Sequence, residues 1–269
     1  MSFHYNQKDF VNALVSVGLK KGDIIFSHSN IGYFGLPEGA NSVQDIFQII
    51  LNSFFDVIGS EGTLIVPTFT YSFPRQEVFD AENSVSSCGN FAEMVRQLPD
   101  SYRSEDPCIS VAAVGKYAKE LTCGVPENAY GDDSFFGRFY KANGVICNMN
   151  FDAGSTMVHY VERCLRVPYR FDKTFSGIVK RKDIEISKNS TIYVRDLTIK
   201  GTAVNFKPFA ELAVNNGLYK ISSVGRGFVG AITINNTFNL IKETLKFRPW
   251  FLTEAESLKI EPDLRNAKE

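Results

Sequence analysis

An alternation of helical and short apolar strand patterns constrains the fold of this chain more than any other feature of its sequence. Asn6 precedes a stretch whose apolar side chains recur at helical spacing until Gly18, and Ser42 precedes a second such stretch. Later helical patterns lie near residues 90–98 and 134–140, and apolar strand patterns lie at residues 24–29, 63–69, 109–114 and 145–150. Strands that alternate with helices are typical of an α/β sheet with parallel pairs. The sequence therefore predicts an α/β fold with a central mixed sheet flanked by helices.

The second half of the chain departs from that rhythm. Over residues 175–206, branched apolar side chains alternate with charged ones, which predicts an antiparallel β-rich insertion, either at the sheet edge or as a subdomain. A last strand at 218–223 and a helix at 237–247 close the fold, and the polar tail at 256–269 is expected to fray. We find no repeat or linker, so we predict a single domain over residues 1–269.

Charge and hydropathy exclude several classes of protein. The chain has 29 basic and 30 acidic side chains, a balance that argues against nucleic-acid binding. No apolar run approaches the roughly 18–20 residues of a membrane helix. The first eight residues have neither the basic nor the apolar part of a secretory signal. We therefore expect a cytoplasmic protein that contacts neither nucleic acid nor membrane.

Cysteine and histidine usage narrows the chemistry. The five cysteines include no C-x-x-C pair, and an odd number does not suit a disulfide framework, so we interpret them as reduced and mostly buried thiols. The only histidines are His4, His28 and His159. So few leave little basis for a histidine-rich metal site, and we predict no metal.

One nucleotide-binding motif is rejected on context. Residues 225–230 fit G-x-G-x-x-G, but the residues that follow are β-branched and do not open a helix. A glycine-rich loop that lets two backbone segments approach is the better interpretation.

The segment after the strand at 145–150 carries a more specific signal. A loop leads into a helix that Ser155 or Thr156 can cap, with His159 in its first turn. The helix dipole there favours a neutral imidazole, which is the form that a general base needs. Glu162 lies three residues on, on the same helix face, where it can orient the ring. The alternative, a surface His–Glu pair, is open on this motif alone.

The segment with this pair is one of several short sequence motifs that are spread along nearly the whole chain. They are residues 22–29 (GDIIFSHS), 62–70 (GTLIVPTFT), 103–115 (RSEDPCISVAAVG), 134–140 (SFFGRFY), 156–162 (TMVHYVE) and 167–170 (VPYR). Together they resemble the aminoglycoside 3-N-acetyltransferase family. Asp106 stands where that family usually has a histidine, and Phe135 where it has a proline. These departures concern the acceptor pocket more than the acyl-transfer machinery.

The resemblance implies an acyl-CoA co-substrate, no permanently bound cofactor, and direct transfer to a primary amine without an acyl-enzyme. It implies that His159 takes the amine proton while Glu162 supports the ring. Thr156 either caps its helix, donates to the developing oxyanion, or does both.

Binding residues are expected where the strands end, since α/β sheets bind ligands there. The predicted acyl-CoA contacts are His28, Ser29, Asn30, Arg103, Ser104 and Ser110. The predicted acceptor contacts are Thr68, Tyr71, Asp106 and Arg170. Two alternatives are open: His28 as a histidine hydrogen-bonded at a strand end, and Arg103 as part of a surface ion pair.

The acceptor is inferred from charge. An enzyme for polycationic aminoglycosides is expected to be acidic, whereas this chain has a net charge of −1. The cations available for an anionic acceptor are Lys20, Lys21, Arg75, Arg103, Arg138, Lys141, Arg170 and Lys173. We therefore favour a nucleotide-linked amino sugar over an aminoglycoside, with acetyl or a longer acyl group. A homodimer is an open alternative to a single chain.

Two rival functions are weighed against the transferase. A hydrolase needs a serine or cysteine nucleophile, and the chain has no G-x-S-x-G elbow. A binding module without activity would not need the His159–Glu162 pair.

Overall fold

The computed structural model describes residues 3–265 and 267–268. The strands are β1 (Ile24–Phe26), β2 (Thr63–Pro67), β3 (Phe79–Asp80), β4 (Tyr102–Arg103), β5 (Val111–Gly115), β6 (Val145–Met149), β7 (Arg170–Arg181), β8 (Ile184–Arg195), β9 (Lys220–Val224) and β10 (Gly227–Thr233). The α-helices are α1 (Gln7–Ser16), α2 (Val43–Ile58), α3 (Asn90–Arg96), α4 (Ala118–Thr122), α5 (Phe135–Lys141), α6 (Met157–Cys164), α7 (Lys207–Asn215), α8 (Ile234–Leu245) and α9 (Glu254–Leu258).

Seven strands form one mixed sheet in the order β4-β5-β2-β1-β6-β10-β9. The central strands β2, β1 and β6 are parallel, whereas β5 and β10 pair antiparallel on either side of them. The predicted α/β class with a central mixed sheet is confirmed. Since parallel strands end at the same edge, the segments after β1, β2 and β6 lie side by side.

Alternate side chains of these strands supply two hydrophobic cores, one on each face of the sheet. Phe26 and Ile65 belong to the core that contains the apolar faces of α5, α6 and α8. Ile25 and Leu64 belong to the core that contains those of α1 and α2. The sheet is therefore covered by helices on both faces, which explains why its central strands are apolar throughout.

The β-rich segment is a long hairpin. β7 and β8 pair antiparallel along their whole length, from Arg170 opposite Arg195 to Arg181 opposite Ile184, and β3 joins β7 in parallel. The antiparallel insertion is thus present, but the predicted range of 175–206 was shifted. The hairpin spans residues 170–195, so residues 196–206 lie outside it, and there the Asp196 carboxylate accepts from the Thr198 amide in a turn.

Local capping explains where the predicted helices begin. Asn6 and Asp9 form a reciprocal capping box on α1, and the Ser42 hydroxyl accepts from the Asp45 amide at the start of α2. Three parts of the second half were not predicted: β10, which follows the strand expected to be the last, α7, and the short α9, which overlaps the segment expected to fray. The end of the chain is held in part because Trp250 donates to Glu261.

The glycine-rich segment at 225–230 is a strand turn and part of β10 rather than a nucleotide loop. Gly225 has a positive φ of 57°, and a Cβ there would lie 2.3 Å from the Phe34 carbonyl oxygen. The prediction that these glycines permit close approach is confirmed.

The cysteines are all free, but the expectation that they are mostly buried was wrong. Only Cys108 and Cys147 are buried, while Cys123 and Cys164 are exposed. In the described part of the chain, no helix is both long and apolar enough to cross a membrane.

Candidate active site

The site lies at the edge of the sheet where β1 and β6 end. Asn148, near the end of β6, donates from its side-chain nitrogen to the carbonyls of Asp152 at 2.6 Å and Gly154 at 2.9 Å. These bonds hold the loop that leads into α6, and they bring the first turn of that helix over the residues that follow β1. His28 and the start of α6 consequently face each other.

His159 and Glu162 form the hydrogen-bonded pair that their spacing predicts. The His159 Nδ1 and the Glu162 Oε2 are 2.6 Å apart. Because an ionised carboxylate can only accept, the proton lies on Nδ1 and the Nε2 lone pair is free. Nε2 has no hydrogen-bond partner among the described residues, so it is available to take a proton from a substrate.

Glu162 is buried and is held by two further side chains. Its side chain is 1% exposed, Tyr169 donates its hydroxyl to Oε1 at 2.9 Å, and the Arg170 Nε forms an ion pair with Oε2 at 2.8 Å. Burial alone would raise the pKa of Glu162, but Arg170 and His159 outweigh it and lower that pKa below its ordinary value. The carboxylate therefore stays charged and fixed in place.

The pKa of His159 is lowered, chiefly by burial and then by the nearby Arg170 cation. The ring is enclosed by Tyr130, edge-on at 6.4 Å, and by Phe206 at 5.6 Å between centroids, yet 19% of the side chain reaches the surface. A neutral ring was expected from the helix dipole, and the structure supplies burial and a cation as causes. His159 is thus an accessible, neutral base at neutral pH.

Thr156 does not cap α6 with its side chain, although it occupies the N-cap position. The Ser155 hydroxyl accepts from the Met157 amide instead, at 3.2 Å. The Thr156 hydroxyl faces the ring of His28, with 3.4 Å between Oγ1 and Nε2. The Thr156 hydroxyl is therefore not used as a helix cap, and it is available to donate to an oxyanion.

Apart from His28, which faces Thr156, the residues expected to bind acyl-CoA fall into two groups. Ser29 and Asn30 lie three and four residues after the end of β1, where Ser29 bridges to Met149 and the Asn30 amide donates to the Met149 carbonyl. Their side chains have no hydrogen-bond partner among the described residues, so they remain candidates for contact with the co-substrate.

Arg103, Ser104 and Ser110 belong to a network around the end of β2, on the side of the sheet where β4 and β5 lie. The Arg103 guanidinium donates to the Thr68 carbonyl at 2.8 Å, to the carbonyls of Ala81 and Ser84, and to the Ser110 hydroxyl. The Ser104 hydroxyl accepts from the Val111 amide. These groups are engaged within the chain, and the Arg103 alternative of a surface ion pair is not what the structure shows.

The four predicted acceptor residues also differ in their surroundings. Thr68 is fully buried against Ser110, and Arg170 forms an ion pair with Glu162. Asp106 is buried and accepts from the amides of Cys108 and Ile109, and burial raises its pKa. Tyr71 alone among the four is substantially exposed, and its φ of 52° marks a strained backbone.

Residues 26–246 match the sequence profile of the aminoglycoside 3-N-acetyltransferase family. The chain belongs to this family. It is therefore an acyltransferase, and an acyl-CoA is its co-substrate.

Several members are similar over most of their length. Aminoglycoside N(3)-acetyltransferase IX from Micromonospora chalcea is 25% identical, over 80% of this chain and 75% of that protein. The YokD protein of Bacillus subtilis, described as aminoglycoside N(3')-acetyltransferase-like, is 25% identical over 63% of this chain and 68% of its own.

Solved acetyltransferase structures share the fold. AAC-IIIb, described as a binary complex with CoASH, superposes with a TM-score of 0.77 at 18% identity, covering 91% of this chain and 97% of that one. AAC-VIa bound to sisomicin gives a TM-score of 0.74 at 19% identity, covering 90% and 98%.

The comparisons do not support the nucleotide-linked acceptor, and the structure removes the argument for it. Lys20 and Lys21 precede β1 and so lie at the opposite edge of the sheet from His28. Arg138 donates to the carbonyls of Glu120, Cys123 and Gly124, and Lys141 pairs with Asp133. Arg103 and Arg170 are engaged as described above. Of the cations placed here, only Arg170 lies near His159, and it is already paired with Glu162.

Sequence reasoning assigned Arg170 to the acceptor rather than to Glu162, and it gave no role to the other side chains that support the pair. Tyr169 and Arg170 flank the start of the hairpin, and Asn148, Tyr130 and Phe206 come from three other segments. The P-Y-R block that contains Tyr169 and Arg170 was a usable signal, since it lies directly after the H-x-x-E block. No group of three potential metal ligands occurs within the described residues.

Proposed function

We propose that this enzyme transfers an acetyl group from acetyl-CoA directly to the 3-amino group of a 2-deoxystreptamine aminoglycoside. The observation that carries the chemistry is the orientation of His159, whose Nδ1 is tied to Glu162 at 2.6 Å while its Nε2 stays free. Membership of the family supports the donor and the acceptor class.

The transfer begins when the amine lone pair attacks the thioester carbonyl carbon. A C–N bond forms, the C=O electron pair moves onto oxygen, and His159 Nε2 takes one proton from the nitrogen. Collapse of the oxyanion then breaks the C–S bond, and the sulfur leaves with that electron pair. The His159 imidazolium returns its proton to the sulfur, so the products are an amide and the free thiol of CoA.

Glu162 and Arg170 tune the base for this cycle. The carboxylate stabilises the imidazolium that forms during attack, while the Arg170 cation limits that stabilisation and keeps the resting ring neutral. This balance lets His159 accept a proton and release it again within one turnover.

Thr156 and the segment after β1 surround the position of the thioester in this proposal. The Thr156 hydroxyl is a neutral donor suited to the oxyanion, and Ser29 and Asn30 offer hydrogen bonds to the co-substrate. Their place at the end of a parallel strand supports this assignment.

An acceptor panel tests the function. Purified enzyme is given acetyl-CoA with sisomicin, a second aminoglycoside or a nucleotide-linked amino sugar, and release of free thiol is measured. We expect thiol release only when the amine is an aminoglycoside, and product analysis should place one acetyl on the 3-amino group. Turnover of the nucleotide sugar, with none of any aminoglycoside, would contradict the proposed acceptor.

Kinetic order tests direct transfer separately. Both substrates must be bound together, so initial-rate plots should intersect. Parallel lines, or an acetyl group trapped on Cys164 or on a serine, would show a covalent intermediate instead.

A further inference from the structure

The ring of His28 lies in an unusual environment for a histidine at a ligand-binding edge. It packs edge-on against Phe26 with 4.8 Å between ring centroids, and its Nδ1 is inaccessible to solvent and has no hydrogen-bond partner. Its Nε2 faces the Thr156 hydroxyl at 3.4 Å. His28 thus offers one polar atom, and that atom meets Thr156.

The missing partner at Nδ1 indicates which nitrogen carries the proton. A buried N–H without an acceptor is rarer in proteins than a buried acceptor without a donor. Burial, only partly opposed by the Asn148 side chain, lowers the pKa of His28 to about 4, so the ring is neutral at neutral pH and holds a single proton. That proton therefore lies on Nε2, which donates to the Thr156 oxygen.

This donation decides what the Thr156 hydroxyl can do. A threonine hydroxyl has one proton, and an oxygen that accepts from His28 must direct that proton elsewhere. The capping position is already served by Ser155. Thr156 and His159 are joined in one helical turn, since the His159 amide donates to the Thr156 carbonyl at 3.0 Å. The two side chains can therefore flank one reacting carbonyl.

We propose that His28 is a positioning residue that holds the Thr156 hydroxyl as hydrogen-bond donor to the thioester oxyanion. The inference rests on the proposed function, because it requires acyl transfer beside His159. The 3.4 Å separation is long, as hydrogen bonds in catalytic sites often are before substrate binds and tightens them. His28 acts through Thr156 rather than on the co-substrate.

Two other roles for His28 predict different behaviour. If His28 contacted acetyl-CoA directly, its loss would raise the KM for acetyl-CoA. Asn148 lies beside the ring, with its side-chain oxygen accepting the His28 backbone amide at 3.4 Å. If Nδ1 carried the proton and faced that oxygen, Thr156 would donate to His28, and loss of His28 would free the hydroxyl instead of misdirecting it.

A double-mutant cycle on the intact enzyme separates these roles. Thr156→Val removes the hydroxyl at constant shape, and we expect kcat to fall about 100-fold, the usual effect of losing one oxyanion donor. His28→Phe keeps a ring against Phe26 and should lower kcat by about 10-fold or more through misplacement, with the KM for acetyl-CoA unchanged. The double variant should be no slower than Thr156→Val alone, because His28 has then lost its target.

A matched pair of amides covers the case in which His28→Phe fails to fold. His28→Gln places an N–H near the Nε2 position and should restore most of kcat, whereas His28→Asn is too short to reach Thr156 and should not. Thr156→Ser, which keeps the hydroxyl, should stay close to wild type.

Three results would overturn the inference while leaving the proposed function intact. They are losses that multiply in the double variant, a raised KM for acetyl-CoA with kcat unchanged in His28→Phe, and equal rates for His28→Gln and His28→Asn. Absence of thiol release by the wild-type enzyme with every amine would instead remove the proposed function, and this inference with it.

Discussion

Two buried polar networks lie at the ends of the central strands, and they differ in one respect. Around Glu162, the carboxylate is fully engaged by His159, Tyr169 and Arg170, but the outer nitrogen of His159 has no partner. Around Arg103, the donors meet the carbonyls of Thr68, Ala81 and Ser84 and the Ser110 hydroxyl. In the first network the His159 Nε2 has no partner and can react with a substrate. In the second network the polar groups form hydrogen bonds with one another.

This difference shows how to separate catalytic from structural polar groups. Both networks contain residue types that suit ligand binding, and both were assigned to the site from sequence. A buried group whose partners are complete within the chain contributes to stability, whereas an accessible and unpaired group supported by such partners can do chemistry. Variants in each network should therefore affect different measurements.

Replacing the base should have the largest effect. His159→Asn retains an N–H near the Nδ1 position for Glu162 but has no nitrogen that can accept a proton. We expect kcat to fall by about 10² to 10⁴, the usual contribution of general-base catalysis, with acetyl-CoA affinity close to wild type. Steady-state kinetics and calorimetric binding of acetyl-CoA give the two quantities. If the variant retained more than a third of the wild-type kcat, the Glu162 network would be structural, like the Arg103 network, and His159 would not be the base.

Removing Arg170 should affect stability and pH dependence together. Arg170→Met leaves the Glu162 carboxylate buried without its cation, which should cost about 3–5 kcal/mol of unfolding free energy. Because Arg170 lowers the pKa values of both His159 and Glu162, its loss should raise both.

Activity requires neutral His159, so the acidic limb of the kcat profile should move to higher pH in Arg170→Met. Because the pKa of Glu162 is depressed in the folded state, its carboxylate stabilises the fold at pH values above the ordinary carboxyl pKa. This stabilisation is lost as the pH falls through the lower pKa of the folded state. In the variant that loss should begin at a higher pH. An unchanged kcat profile would show that Arg170 does not tune the base, and Arg170→Lys serves as the control that keeps the charge.

Replacing Arg103 should affect stability alone. Arg103→Met leaves buried carbonyls without donors, and we expect a loss of about 3 kcal/mol, measured by denaturant unfolding. The kcat and the KM for acetyl-CoA should not change in the protein that remains folded. Arg103→Lys keeps the charge but lacks the planar fork, so it should also be destabilised. If the KM for acetyl-CoA rose in Arg103→Met and returned to the wild-type value in Arg103→Lys, Arg103 would instead be a contact of the co-substrate.

Local signals allowed part of this structure to be predicted. The caps at Asn6 and Ser42 and the apolar runs of β1, β2 and β6 are encoded within a few residues, and so is the His159–Glu162 spacing. The helix α7 was missed because the side chain at its N-cap forms no capping hydrogen bond and its residues are mixed in hydropathy. The class of fold therefore followed from periodicity.

The roles of Arg103 and Arg170 could not be predicted in the same way. The partners of Arg103 are supplied by segments 7 to 35 residues away, and only the folded sheet brings them together. Arg170 was assigned to the acceptor because a lone arginine in sequence does not reveal a buried carboxylate beside it. Whole-chain charge is a poor guide to the acceptor for the same reason, since it records how many cations exist and not where they lie.

The pH dependence of kcat, measured side by side for the wild-type enzyme and His159→Asn with acetyl-CoA and sisomicin, tests the central claim most directly. For the wild type we predict an acidic limb with its midpoint below 6.5, the ordinary value for histidine, because burial and Arg170 lower the pKa of His159. The residual rate of His159→Asn should lack that limb. The same limb in both proteins would show that another group titrates, and would contradict the assignment of His159 as the base.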